Sequence, residues 1–103
     1  MALDQILEAL KAVKEFDWNK GNIDKNWVKH KVSAKECEEV FLNKPLILFD
    51  DEKHTAKEKR YGVFGITNQK RKLTIIFTIR NNKIRVISAR NQSKKERRNY
   101  EQK

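Results

Sequence analysis

The apolar residues of the first fifteen positions recur at intervals of three and four, which is typical of an amphipathic helix. They are Leu3, Ile6, Leu7, Leu10 and Val13. Residues 22–31 can form a short helix with Ile23 and Trp27 on one face. Ser33 and Glu36 then have the spacing of a capping box, which predicts that a third helix begins there. The first forty residues are therefore predicted to be mainly helical.

The second half of the chain changes to the alternating pattern of β-strands. Four short runs have this character: residues 46–49, 61–67, 72–79 and 83–89. The last three are closely spaced, which favours an antiparallel meander, and Asn81-Asn82 suits a two-residue turn because asparagine tolerates positive φ. Ser93 and Glu96 have the spacing of a second capping box and predict a final helix.

Arginine residues interrupt the alternation of the last hairpin. A turn at Asn81-Asn82 predicts three facing pairs, which are Arg80–Lys83, Thr78–Arg85 and Ile76–Ile87. The residues of the opposite, apolar face are Ile75, Phe77, Ile79, Ile84 and Val86. Arg90 has the parity of that apolar face and is predicted to lie at the end of the sheet. The cations on the wetter face repel one another unless an anion lies among them, and a phosphate suits paired guanidinium hydrogen bonds.

Ion pairs within the chain are the alternative explanation for these arginines. Residues 59–95 contain no Asp or Glu, which weighs against it. Only more distant acids, namely Glu58, Glu96 and the group at 50–52, could serve as partners.

The distribution of charge also favours an anionic partner. The 103 residues suit one domain with a net charge of +10, but residues 1–52 carry −3 and residues 53–103 carry +13. So basic a half-chain favours nucleic acid over a merely solvated lysine surface. No apolar run approaches the ~18 residues that span a bilayer, and no signal-peptide pattern is present, so we expect a cytoplasmic protein without a membrane partner. A single cysteine, Cys37, excludes an internal disulfide and a multi-cysteine zinc site.

Three groups of motifs have a recognisable order and spacing. They are "FDW" with Asn26, His30, Val32 and Ser33; then Pro45, Asp51, His54, Glu58, Arg60 and Tyr61; then Phe77, Thr78, Arg80, Ile84, Arg85, residues 87–90, Lys94, Glu96, Arg97 and Tyr100. This set resembles the BrnT family, the ribonuclease toxins of a bacterial type II toxin–antitoxin pair. The resemblance covers residues 16 to 100, so residues 1–15 are expected to be an N-terminal helical extension of a single BrnT-like domain at 16–103. The chain departs from the family at Asn19, Asn22 and Lys31, where an acid, a lysine and a glycine are usual.

The resemblance implies a compact α+β fold of the RelE-like kind, with an antiparallel sheet and helices packed on one face. It implies a metal-independent endoribonuclease that needs no cofactor. The implied partners are RNA and a cognate BrnA-like antitoxin, with operator DNA bound only through the antitoxin complex. The expected assembly is a homodimer or a toxin–antitoxin heterotetramer.

The residue types suit cleavage of RNA by its own 2′-hydroxyl, which needs a base, an acid and cations for the developing charge. Arg80 and Arg85 are predicted to clamp the phosphate, with Arg60 as a third contributor. His54 and Glu58 are the candidates for acid–base work, with Glu96 as a weaker one. Further RNA phosphates are predicted to contact Lys83, Arg90 and Arg97. No Asp/Glu cluster resembles a two-metal site.

Other roles stay open for several of these residues and for the chain. His54 can be a surface-loop histidine without a catalytic part. Glu58 and Glu96 can instead pair with Arg60 or Arg97, or cap a helix. The whole chain can be a non-catalytic nucleic-acid-binding module, or a basic domain that binds an acidic protein. Cleavage of RNA in EDTA separates the first of these from a nuclease.

Overall fold

The computed structural model describes residues 3–12, 15–51 and 58–102. Its elements in chain order are α1 (Leu3–Ala12), α2 (Lys20–His30), α3 (Ala34–Leu42), β1 (Ile47–Asp50), β2 (Tyr61–Ile66), β3 (Lys72–Arg80), β4 (Lys83–Asn91) and α4 (Lys94–Glu101). The strands form one antiparallel sheet in the order β1-β2-β3-β4, so the predicted meander and the α+β class are confirmed. The RelE-like assignment stays a prediction. None of the helices in these stretches is long and apolar enough to cross a membrane.

Local capping signals determine where three helices begin. The Ser33 and Ser93 side chains accept hydrogen bonds from the backbone N–H groups three residues later, and both predicted capping boxes are present. α2 begins with a third box, in which Asn19 and Asn22 cap each other's backbone N–H groups. Two of the departures from the family pattern therefore act together to start this helix.

The buried side of α2 is polar, contrary to the pattern read from the sequence. Ile23 and Trp27 are 37% and 51% exposed, whereas Asn22 and Asn26 are buried against the sheet. The Asn26 Oδ1 accepts a hydrogen bond from the backbone N–H of Ala89 in β4 at 3.0 Å. Hydrogen bonds to strand backbone, rather than apolar burial, hold this helix in register with the sheet.

The β3–β4 hairpin has the predicted turn but not the whole predicted register. Asn81 and Asn82 have φ of 50° and 62°, which suits a two-residue hairpin turn. The facing pairs Arg80–Lys83 and Thr78–Arg85 are confirmed, whereas the Ile76–Ile87 pair is wrong because Ile76 faces Ser88 across a β-bulge.

The bulge decides on which side of the sheet Arg90 lies. An extra residue in one strand reverses the alternation of every side chain beyond it. Arg90 faces Thr74 in the observed register. It therefore lies on the side opposite the core, and the parity predicted for it was wrong, although it does lie near the end of β4.

The hydrophobic core lies between one face of the sheet and the first three helices. Its fully buried members on the sheet are Val63, Leu73, Ile75, Phe77, Val86 and Ala89. Ile6 of α1 and Val40 of α3 join the same cluster, so α1 shares the core of the rest of the chain. The opposite side of the sheet, here called the second face, carries the alternate residues of β3, namely Lys72, Thr74, Ile76, Thr78 and Arg80.

Candidate functional site

Three arginines surround a carboxylate at the turn end of the second face. Arg80 donates two hydrogen bonds to Glu58, from Nε to Oε2 at 3.0 Å and from Nη2 to Oε1 at 2.8 Å. Arg85 faces Thr78 and so lies diagonally across the hairpin from Arg80. The charges of Arg80, Arg60 and Arg85 all act on Glu58. We call Arg60, Arg80 and Arg85 the arginine cluster.

The surrounding arginines favour the ionised form of Glu58. The hydrogen bonds from Arg80 lower the pKa of its carboxyl below the usual value, and the charges of the arginine cluster add to the effect, against a smaller opposing contribution from desolvation. The arrangement therefore holds an ionised proton acceptor beside guanidinium groups that can bind an oxyanion.

A second carboxylate, Asp17, approaches the cluster from the segment before α2. Residues 15–17 run beside β4: the Asp17 N–H donates to the Ile84 carbonyl at 2.8 Å, and the Ile84 N–H donates to the Glu15 carbonyl at 3.0 Å. This places Asp17 Oδ1 at 3.6 Å from Arg85 Nη1. Asp17 was not predicted as a site residue, although it is the acid of the "FDW" motif and could have been found from that motif.

The segment that carries Glu58 is tied to two strands. The Thr78 hydroxyl donates to the Lys59 carbonyl at 2.8 Å, and the Asp51 N–H donates to the Arg60 carbonyl at 3.3 Å. These bonds fix residues 58–60 against β3 and the end of β1, so Glu58 is positioned by the sheet. His54, the other acid–base candidate, lies outside the described residues.

Carboxylates of the same chain pair with basic residues of the hairpin. The absence of Asp and Glu from residues 59–95 had argued against such internal ion pairs. The ion pairs are Arg80–Glu58 at 2.8 Å, Arg85–Asp17 at 3.6 Å, Lys83–Glu15 at 3.6 Å and Arg90–Glu96 at 2.8 Å. Internal pairing thus relieves the repulsion that was the first argument for a phosphate. The side chains of Arg80 and Lys83 are nonetheless 49% and 48% exposed, and such water-facing pairs exchange readily for another anion.

Glu96 has a structural role that accounts for its contacts. It accepts the Ser93 N–H at 2.8 Å as part of the α4 capping box, the Thr74 hydroxyl at 2.9 Å and two hydrogen bonds from Arg90. The ion pair of Glu96 is therefore with Arg90 rather than with Arg97. Together these bonds keep its pKa at about 2, with the hydrogen bonds from Arg90 as the largest cause.

The predicted site residues fall into two groups in space. Arg60, Arg80, Lys83, Arg85 and Glu58 lie at the turn end of the hairpin. Arg90 and Arg97 lie towards the other end, because Arg90 faces a residue six positions before Arg80 on β3, about 20 Å along the strand. Arg97 borders a pocket with Lys70 and Lys72 beside α4. Among the described stretches, no three His, Cys, Asp or Glu residues come together in a way that could hold a metal ion.

The fold and the site together define a small α+β domain whose second sheet face mixes arginines with ionised carboxylates. A family model described as the ribonuclease toxin BrnT of a type II toxin–antitoxin system matches residues 18–96. The chain belongs to this BrnT family. A search among curated proteins finds no match. The family indicates a type II toxin with ribonuclease activity, which implies RNA as substrate and an antitoxin protein as partner.

Proposed function

We propose that this chain is a toxin that cleaves RNA without a metal ion, through attack of a 2′-hydroxyl on the adjacent phosphorus. Membership of a ribonuclease toxin family supports the activity. The observation that carries the mechanism is the two-bonded Arg80–Glu58 pair inside the arginine cluster. It brings an anion-binding fork and an ionised proton acceptor to one point on the second face.

RNA binding would begin with exchange of anions at the arginine cluster. A phosphate of the RNA replaces the carboxylates at Arg80 and Arg85, since guanidinium groups bind phosphate oxygens through the same paired geometry. Glu58 stays beside the bound phosphate because hydrogen bonds hold its segment to the sheet. The phosphate then lies next to a displaced carboxylate that is ready to accept a proton.

In the cleavage step, Glu58 accepts the proton of the 2′-hydroxyl as its oxygen bonds to phosphorus. The arginine cluster stabilises the extra negative charge that develops on the phosphate oxygens. The bond from phosphorus to the 5′-oxygen breaks, and His54 is the candidate that donates a proton to this leaving oxygen. The products are a 2′,3′-cyclic phosphate and a 5′-hydroxyl, so atoms and protons balance without a co-reactant.

The proposed cellular context follows the family. The partner is a cognate BrnA-like antitoxin in the cytoplasm, which covers the toxin in a heterotetramer, and operator DNA is bound through that complex. A homodimer of the toxin is the alternative assembly. Lys83, Arg90 and Arg97 are proposed to contact RNA phosphates on either side of the cleaved bond.

The decisive experiment incubates the purified chain with a defined RNA in EDTA and analyses the ends of the products. We expect cyclic-phosphate ends, and we expect the Arg80→Ala and Arg85→Ala variants to lose both cleavage and growth arrest on expression. Lys29→Ala is the matched control, since it removes one exposed cation from α2, remote from the cluster in the sequence. Activity unchanged in both arginine variants, with native circular dichroism, rejects the clamp.

A Glu58→Gln variant separates binding from catalysis. It keeps the size of the side chain but removes the proton acceptor and the negative charge that competes with RNA for Arg80. We therefore expect RNA affinity that is equal or higher together with a cleavage rate at least about 100-fold lower. RNA binding without cleavage by the unmodified chain would select the non-catalytic module, and binding of an acidic protein without RNA would select the interaction domain.

A further inference from the structure

In the described part of the chain, exposed cations without an ion-pair partner lie on both α2 and α4, and those of α4 are next to the second face, which carries the arginine cluster. Four of the exposed cations on α4 and on the turn before β3 border two neighbouring pockets that Lys72 also lines, and we call them the α4 patch: Lys70, Lys94, Arg97 and Arg98. Within the described part of the chain, none of the four has an ion-pair partner. By contrast, Arg80, Arg85 and Arg90 each pair with a carboxylate.

The position of Lys94 works against the stability of α4. Lys94 is the first residue of α4, where the positive end of the helix dipole disfavours a cation. Lys94 also lies one turn from both Arg97 and Arg98, and like charges at these spacings repel. Glu101 is the acid next to the patch; its hydrogen bond is with Lys72 at 2.7 Å, and the charge of Arg97 also acts on it. A charge arrangement that costs stability points to a ligand.

The α4 patch lies on the same side of the sheet as the arginine cluster. Lys72 shares the second face with Arg80, and its ion pair with Glu101 brings the end of α4 to that face. Arg97 borders the same pocket as Lys72. Lys72 and Arg80 lie at opposite ends of β3, eight residues apart, which corresponds to about 26 Å along the strand. One extended polyanion can therefore contact both places.

We propose that the α4 patch is a second RNA-backbone site, which binds phosphates of the substrate several nucleotides away from the bond that is cleaved. The inference rests on the proposed function for the identity of the polyanion. Its chemistry is that of exposed, unpaired cations, which contact phosphates without reading base sequence. The patch would add affinity for long RNA and would not take part in the chemical step.

The test measures binding of 2′-O-methyl RNA, which lacks the attacking hydroxyl and so stays intact. The patch variant is Lys94→Gln/Arg97→Gln/Arg98→Gln, and the control is Lys20→Gln/Lys25→Gln/Lys29→Gln on α2, which removes the same charge from exposed positions. Loss of three phosphate contacts should reduce the slope of log affinity against log salt by about 2, because each contact on a single strand contributes about 0.7. The same relation gives a loss on the order of 100-fold in affinity at 0.1 M salt, which disappears towards 1 M.

Oligomer length provides a second readout. For an oligomer of about four nucleotides, too short to reach from the cluster to the patch, we expect the patch variant to lose much less affinity than for a long RNA. An equal loss for both lengths, or equal slopes for the patch and control variants, overturns the inference. The inference is also overturned if the patch variant binds duplex DNA or an acidic protein more weakly but binds RNA as the unmodified chain does.

The two proposals fail in different ways. If the unmodified chain cleaves RNA but the patch variant binds long RNA like the α2 control, the proposed second RNA site is wrong, whereas the proposed nuclease function is supported. If no RNA is cleaved in EDTA, the proposed function is wrong, and the binding curves still show whether the patch holds a nucleic-acid backbone.

Discussion

Replacement of Glu96 by glutamine removes one negative charge from the junction of α4 with the sheet and keeps the shape of the side chain. Glu96 joins three parts of the structure, since it caps α4 at Ser93, accepts the Thr74 hydroxyl and pairs with Arg90. Glutamine retains an oxygen for the first two contacts. The substitution therefore isolates the contribution of the ion pair.

The pKa of Glu96 sets the expected size of the effect. Its fall from the usual 4.5 to about 2 corresponds to at most roughly 3 kcal/mol of stabilisation of the folded, ionised form. The Arg90 side chain is 42% exposed, so water screens the pair, and we expect a loss of about 1 kcal/mol in the free energy of unfolding at pH 7.

The pH dependence follows from the direction of this change. A carboxyl whose pKa is lower in the folded state stabilises the protein above its unfolded pKa, and the contribution disappears as the pH falls from about 4.5 towards 2. The unmodified chain and Glu96→Gln should therefore differ at pH 7 and converge near pH 2. Urea unfolding followed by tryptophan fluorescence at several pH values measures this difference.

Glu101→Gln is the matched control for this experiment. It removes the same charge from the same helix, but the side chain of Glu101 is 55% exposed against 23% for Glu96, so a smaller change is expected. A difference between Glu96→Gln and the unmodified chain that stays constant from pH 7 to pH 2 would refute the assignment of the effect to ionisation. Equal stability at every pH would show that the Arg90 pair contributes nothing.

Three further substitutions or reactions test the fold. Gly62→Ala should destabilise the protein by about 1–3 kcal/mol, because the new Cβ would lie 2.0 Å from the Phe49 ring; an unchanged thermal midpoint would contradict this. Asn26→Leu should lower the free energy of unfolding by about 1–3 kcal/mol, because it leaves the Ala89 N–H without its acceptor. Hydrogen exchange at the Ala89 amide should then be faster. Continued protection of that amide would show that another group accepts its hydrogen bond. Cys37 is 1% exposed and burial raises its pKa to about 12, so an alkylating reagent should modify it only in urea, and rapid reaction of the native protein would show that the core opens.

Local structure was predictable because its causes are local. A capping box satisfies backbone donors within four residues, so Ser33 and Ser93 mark helix starts whatever the rest of the chain does. Asn81 and Asn82 likewise carry the positive φ that the hairpin turn requires. The same local logic explains why Asn19 and Asn22 begin α2 together.

The arrangement of the candidate site was only partly predictable. The facing pairs near the turn followed from the turn itself, so the proximity of Arg80, Lys83 and Arg85 could be inferred. The pairing of Arg85 with Asp17 could not, since it joins residues far apart in the chain through a segment that runs beside β4.

The sequence by itself determined the class of fold, the order of the last three strands and the family, because hydrophobic period, caps, turn residues and motif spacing can all be read along the chain. Only the tertiary structure decided which carboxylate meets which arginine and on which face Arg90 lies. The physical reason is that a single bulge beyond Val86 reverses the alternation of β4, and that an ion pair depends on distance in space rather than along the chain.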